Sequence, residues 1–193
     1  MASTQASFRF DAEQHIYFDL DGGTFKHITE LLTVSGWTNE RWFEEEHSAR
    51  GRAVHRLTAE YDLRALDPDD CMSQFRPYLL AHVVCTEIVK PTWRHIETPF
   101  VHSKLRFGGR PDRVALVYDA LSVWEVKSGQ IDKSHAIQTA LQALVIEEEA
   151  GVPAEYVHRY VEYVKPDGRY RIDRHLDERD FHEARRIIKR YVR

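Results

Sequence analysis

Gly108-Gly109-Arg110-Pro111-Asp112-Arg113 and, shortly after it, Ser122-Val123-Trp124-Glu125-Val126-Lys127 are the stretches on which the reading of this chain turns. In a strand, successive side chains point to opposite faces. Trp124 and Val126 then share one face, suited to a core, while Glu125 and Lys127 project side by side from the other. Arg113 to Tyr118 also reads as a strand, and Asp119-Ala120 supplies a bend between the two. Antiparallel pairing lays the start of the first strand beside the end of the second. Asp112 is therefore expected within a few ångströms of Glu125 or Lys127.

Two carboxylates that meet repel each other unless a cation lies between them. Mg²⁺ takes oxygen ligands, keeps several waters and is commonly held by one or two carboxylates. Such a site leaves room for a phosphate and an attacking water.

Outward from this pair, the pattern alternates between strand and helix periods. Ser7 to Leu20 reads as a hairpin turning around Asp11 to Gln14, and Asp21-Gly22-Gly23 as a turn. A short helix is expected from about Ile28 to Ser35. A longer one is expected from Thr38, as its cap, to Asp62, with Gly51 marking a break or a tight approach. Asp67-Pro68-Asp69 predicts a helix start, and the helix runs from about Asp70 to Val89 with a kink at Pro77. Ile96 to Val101 and Leu105 to Phe107 read as strands ahead of the central pair. Lys133 to Ala150 reads as a helix ended by Gly151, Tyr156 to Val164 as a strand, Tyr170 to Ile172 as a short strand, and Asp180 to Val192 as a final helix. This succession predicts an α+β fold whose central sheet is mixed, mainly antiparallel, and flanked by helices. One domain is expected over 1–193. Its N-terminal hairpin and helical region spans about 1–92 and its catalytic core about 93–193.

The bulk numbers agree with a globular chain. Of 193 residues, 42% are hydrophobic and 30% charged, too apolar for a disordered segment. Apolar runs such as Tyr78 to Val84 are interrupted and too short to cross a bilayer, and Met1 to Phe10 has no apolar core of a signal peptide. The expected location is the cytoplasm. A net charge of −4 counts mildly against a nucleic-acid partner, but bound cations reverse the sign locally where carboxylates collect. The absence of Gly-Lys-Ser or Gly-Lys-Thr excludes a Walker-type ATP site. Cys71 and Cys85, the 2 cysteines, fall in one expected helix, roughly 21 Å apart along its axis, too far for a disulfide. They are too few for a four-cysteine iron–sulfur cluster.

Pro111-Asp112 followed by Glu125-Val126-Lys127 resembles the PD-(D/E)XK nuclease superfamily, and more closely its RecB-like and phage-type exonuclease branch. Gly51-Arg52-Ala53-Val54-His55 is similar to that branch's upstream helix motif. Gly109-Arg110-Pro111-Asp112 is similar to its Gly-x-x-Asp motif, Lys127-Ser128 to its Lys-Ser/Thr pair, and Gln138 to its glutamine motif. His15-x-Tyr17 with Asp21-Gly22 looks like the opening of phage-type members. The likeness covers roughly Phe8 to Val164. In one departure, Gln142 stands where the family has a tyrosine.

The resemblance implies a restriction-endonuclease-like core and a Mg²⁺- or Mn²⁺-dependent deoxyribonuclease without an iron–sulfur cluster. Its implied role is exonucleolytic or end-processing, in recombination or repair, with DNA as partner. Asp112, Glu125, His55 and the Val126 carbonyl are the implied metal ligands. Lys127 would orient the attacking water, and Gln138 would hold the scissile phosphate or the lysine. Glu97, expected to start the first strand of the sheet, is a candidate for assisting a second ion. Arg50, Arg52, Arg56, Ser128 and Gln142 are candidate DNA contacts, with His135 on the same helical face as Gln138 and Gln142. Arg185, Lys189 and Arg193 form a basic stripe at i, i+4, i+8. Trp42, Phe43 or Tyr61 are candidates for stacking on a frayed base. Two other classes stay open: a non-catalytic nucleic-acid-binding accessory module of the same fold, and a metal-dependent hydrolase of small phosphate esters.

Overall fold

The computed structural model describes residues 8–38 and 45–192, with side chains from 49 onward in the second segment. The chain begins with β1 (Phe8–Asp11), β2 (Ile16–Asp19) and β3 (Thr24–His27), then α1 (Ile28–Val34), α2 (Glu45–Asp62) and α3 (Arg76–Val89). β4 (Thr92–Ile96), β5 (Phe100–His102), β6 (Phe107–Gly109), β7 (Arg113–Val117) and β8 (Ala120–Lys127) follow. α4 (Ser134–Ala150), β9 (His158–Val164), β10 (Tyr170–Arg174) and α5 (Arg179–Tyr191) complete it. The fold is α+β, with two mixed five-stranded sheets flanked by helices.

The larger core is built on the sheet ordered β10-β9-β8-β7-β4. β7 pairs antiparallel with β8, Arg113 opposite Trp124, as the sequence predicts. β8 then pairs parallel with β9, the two joined through α4, because a parallel neighbour needs a long crossover rather than a hairpin. Alternation along the strands feeds two hydrophobic cores. Ala115, Val117, Trp124 and Val126 pack with Val54 of α2 and with Tyr78, Ala81 and Cys85 of α3. Val114 and Val123, on the opposite face, pack with α1, α4 and α5, through residues such as Leu31, Leu141 and Ile187. Glu125 and Lys127 share the face of Val123, so the helix above them is α4.

Several expectations change. Of the stretches read as Ile96–Val101 and Leu105–Phe107, only Ile96 lies in the sheet of Glu125, as the last residue of β4; Phe100, Val101 and Phe107 do not. Those three fall in β5 and β6, which join β1, β2 and β3 in the order β1-β2-β3-β6-β5. The parallel pairing of β3 with β6 draws them there. β3 itself follows the Gly22-Gly23 turn and was not expected. Glycine permits the close approach in β6: a Cβ at Gly108 would stand 2.8 Å from the Tyr17 ring. Helix α3 starts at Arg76, so Pro77 sits in its first turn, where a missing N–H costs nothing, and bends no helix. Cys71 therefore precedes α3, and both cysteines are buried free thiols. Gly51 lies within α2 with open space beside it, neither a break nor a tight contact. Thr38 lies in a bend, and residues 39–44 before α2, with Trp42 and Phe43, fall outside the described residues. Among the described residues no helix is long and apolar enough to cross a membrane.

Candidate metal centre

β7, β8, α2 and the loop after β4 converge on a cavity of about 770 Å³. Asp112 directly precedes β7. The register that sets Arg113 opposite Trp124 brings it to the end of β8, where its Oδ2 accepts the Val126 N–H at 2.8 Å. The other oxygen, Oδ1, lies 3.1 Å from Nδ1 of His55 on α2. Glu97 does not start a strand. It follows β4 with a left-handed backbone (φ 49°), and its N–H donates to the Asp112 carbonyl at 2.9 Å. That conformation costs a non-glycine residue energy, and here it turns the Glu97 side chain back toward Asp112. One ligand atom each from His55, Glu97 and Asp112 lies within 4.8 Å of the others.

The electrostatics show a cluster in want of positive charge. Burial, then the Asp112 charge, pushes the Glu97 carboxyl up to about 7. Asp112 goes down to about 2. Burial opposes this, but the charge and hydrogen bond of His55 outweigh it, with Lys127 and Arg113 adding to them. One carboxyl thus keeps its charge at the other's expense, as like charges in one site must. Burial alone would lower His55. The charge and hydrogen bond of Asp112 reverse that and hold it above the usual histidine range. Glu97 Oε1 is buried without a hydrogen-bond partner, its nearest cationic neighbours being Arg113 at 3.6 Å and His55 at 4.0 Å. An unsatisfied buried carboxylate oxygen beside a second carboxylate and an imidazole suits a divalent cation.

Glu125 and Lys127 line the same cavity. Glu125 is enclosed by donors: its Oε1 accepts from Lys127 Nζ at 2.7 Å and Gln138 Nε2 at 2.6 Å, and its Oε2 from Gln142 Nε2 at 2.6 Å. Its charge nonetheless reaches His55, where it adds to that of Asp112. The Lys127 ammonium would be discharged by burial, but Glu125 and then Asp112 raise its pKa and keep it charged.

The remaining sequence candidates divide. Arg52, Arg56 and His135 line the cavity beside Gln138 and Gln142. Arg50 and Ser128 do not, and Val126 enters through its N–H to Asp112. Tyr61 packs beside His82, 6.1 Å between ring centroids. Arg185 of α5 pairs with Glu155 at 2.6 Å; neither it nor Lys189 lines the cavity, and Arg193 lies outside the described residues.

Sequence reasoning missed a buried chain of charges behind the cluster. Arg113, fully buried, donates to Asp62 at 2.6 Å, to the Asp112 carbonyl at 2.7 Å and to Thr58 at 3.3 Å. Asp62 also meets His82 at 3.1 Å, His82 meets Glu162 at 2.8 Å, and Glu162 accepts from the Trp124 indole at 2.9 Å. A signal for part of this existed: His55, Thr58 and Asp62 recur at i, i+3, i+7, one polar face of α2.

No family model matches the chain, and no curated protein matches it. Fourteen chains of known structure match; one is a Eubacterium rectale protein provisionally named an exonuclease. It is 11% identical, with a TM-score of 0.47, over 84% of this chain and 70% of that one. A likeness this distant says nothing about chemistry.

Proposed function

We propose that this chain is a divalent-metal-dependent nuclease that hydrolyses phosphodiester bonds in DNA, with Mg²⁺ or Mn²⁺ as cofactor and DNA ends as substrate. The observation that carries the reading is the convergence of His55, Glu97 and Asp112 in a cavity shared with Glu125 and a charged Lys127. His55, Glu97 and Asp112 would hold the ion, with Glu125 adjoining. A bound ion of this kind polarises a phosphoryl oxygen and acidifies water.

The chain's own groups supply the rest. Lys127 places a fixed positive charge where negative charge grows on the phosphorus oxygens. Glu125, held by Lys127, Gln138 and Gln142, fixes the lysine's position. Arg52 and Arg56 at the cavity wall offer charge to a phosphate backbone without reading sequence. The setting would be recombination or repair, as the sequence resemblance implies.

The test is incubation with end-labelled single- and double-stranded DNA in Mg²⁺, in Mn²⁺ and with chelator. Metal-dependent release of mononucleotides is expected. The enclosure of Glu125 by three donors is the one feature favouring a non-catalytic DNA-binding module. Binding without cleavage in every metal would establish that alternative.

A further inference from the structure

Four polar residues of α4 border the cavity, Ser134, His135, Gln138 and Gln142, and the two glutamines are already engaged: they give their amide N–H groups to Glu125. His135 is arranged differently. Its Nδ1 accepts the backbone N–H of Asp132 at 3.4 Å and lies 2.9 Å from the hydroxyl of Tyr163, a buried residue of β9. A ring nitrogen that accepts a backbone N–H carries no proton, so Tyr163 also donates to it. In the neutral imidazole the proton then sits on Nε2. Nε2 has no partner among the described residues, yet it is not one of their enclosed unsatisfied atoms. The nitrogen is open, on a side chain that lines the cavity. Burial, and then the charge of Lys127, press the ring toward its neutral form.

We propose that the Nε2–H of His135 donates a hydrogen bond to a phosphodiester oxygen of DNA on the Lys127 side of the cavity. The proposal rests on the nuclease reading and adds a phosphate-binding residue to it. A group that only donates, standing near a permanent ammonium, selects an oxyanion rather than a base edge, since bases present donors as well as acceptors. Being neutral, the contact would add position without adding charge. It would strengthen binding to all DNA sequences alike.

Glutamine carries an amide N–H close to the position of Nε2, and asparagine close to that of Nδ1. Binding of a short fluorescein-labelled DNA duplex, followed by anisotropy with Ca²⁺ replacing Mg²⁺, separates the two. His135→Gln should stay within about twofold of wild type, while His135→Ala and His135→Asn should bind about tenfold more weakly, the cost of one hydrogen bond to a charged group. Nitrogen-15 spectra should show the neutral Nε2-protonated tautomer at neutral pH. Equal binding by His135→Ala and wild type, rescue by asparagine rather than glutamine, or a ring protonated at neutral pH would each overturn the proposal. A wild type that binds and cleaves DNA while all three variants match it defeats this inference alone. A wild type that neither binds nor cleaves removes the nuclease reading with it.

Discussion

His55 Nδ1 stands 3.1 Å from Asp112 Oδ1, although one residue is in the middle of α2 and the other at the mouth of β7. The opposite oxygen of Asp112 is held by the Val126 N–H at 2.8 Å. The carboxylate is thus aimed by the sheet and met by the helix. Asp112→Asn keeps an oxygen for Val126 but removes the charge that a cation needs. Titration of the folded protein with Mn²⁺ should show affinity falling by roughly a hundredfold, at least the upper range of what outer partners of a metal cost. Unchanged Mn²⁺ affinity would remove Asp112 from the ligand set.

Lys127→Met removes the ammonium but keeps much of the aliphatic stem. Single-turnover cleavage should fall by about 10²- to 10³-fold, the scale of losing one positioned charge donor at a transition state. DNA binding should change little, because Arg52 and Arg56 remain at the wall. A variant that cleaves at the wild-type rate would show that Lys127 plays no part in the chemistry.

Asp62→Asn tests the support behind the cluster. Asp62 takes a short bond from Arg113, which also stands 3.6 Å from Glu97. With Asp62 neutral, the buried guanidinium has Glu97 as its nearest remaining carboxylate and competes with a cation for it. Mn²⁺ affinity should drop by about tenfold while Asp112 and His55 are untouched, in line with outer-partner substitutions. Calorimetry on the folded variant measures this, and equal affinities would make the pair purely structural.

His82 lies fully buried between Asp62 and Glu162. Burial would lower its pKa, but the charges and hydrogen bonds of Glu162 and Asp62 raise it to about 9. A raised folded-state value means that the stabilisation is complete below the ordinary value of 6.5 and is lost as pH climbs through about 9. His82→Gln leaves Glu162 buried without its cation, while Asp62 keeps Arg113, and should cost about 3–5 kcal/mol in urea unfolding below pH 6.5. The difference from wild type should shrink above about pH 9. A gap that stays constant across that window would mean His82 is neutral in the folded protein.

Much of this fold could be read locally. The hairpin of β1 and β2, helix α1, helix α4 with its left-handed Gly151 cap, and the β7–β8 pair all follow from periods and turns within a few residues. The meeting of Asp112 with the end of β8 followed from strand pairing alone. Where reading failed, a distant partner had overridden a local preference. Pro77 looked like a kink only because the start of α3 was placed too early. β5 and β6 looked like neighbours of β7 in one sheet until the parallel pairing with β3 took them elsewhere. Glu97 was assigned to a strand because nothing local announces a left-handed glutamate.

By itself the sequence determined which residue types share a face: Glu125 with Lys127, Trp124 with Val126, and His135 with Gln138 and Gln142, since side-chain direction repeats with the period of each element. Only the tertiary structure decided which faces meet. It set Glu97 beside His55 and Asp112, gave Glu125 the donors of Lys127, Gln138 and Gln142, and threaded Arg113, Asp62, His82 and Glu162 into one buried chain. The reason is physical: a buried charge must be matched by whatever opposite charge or donor the packing brings near, and that depends on how helices seat against the sheet, which no local period encodes.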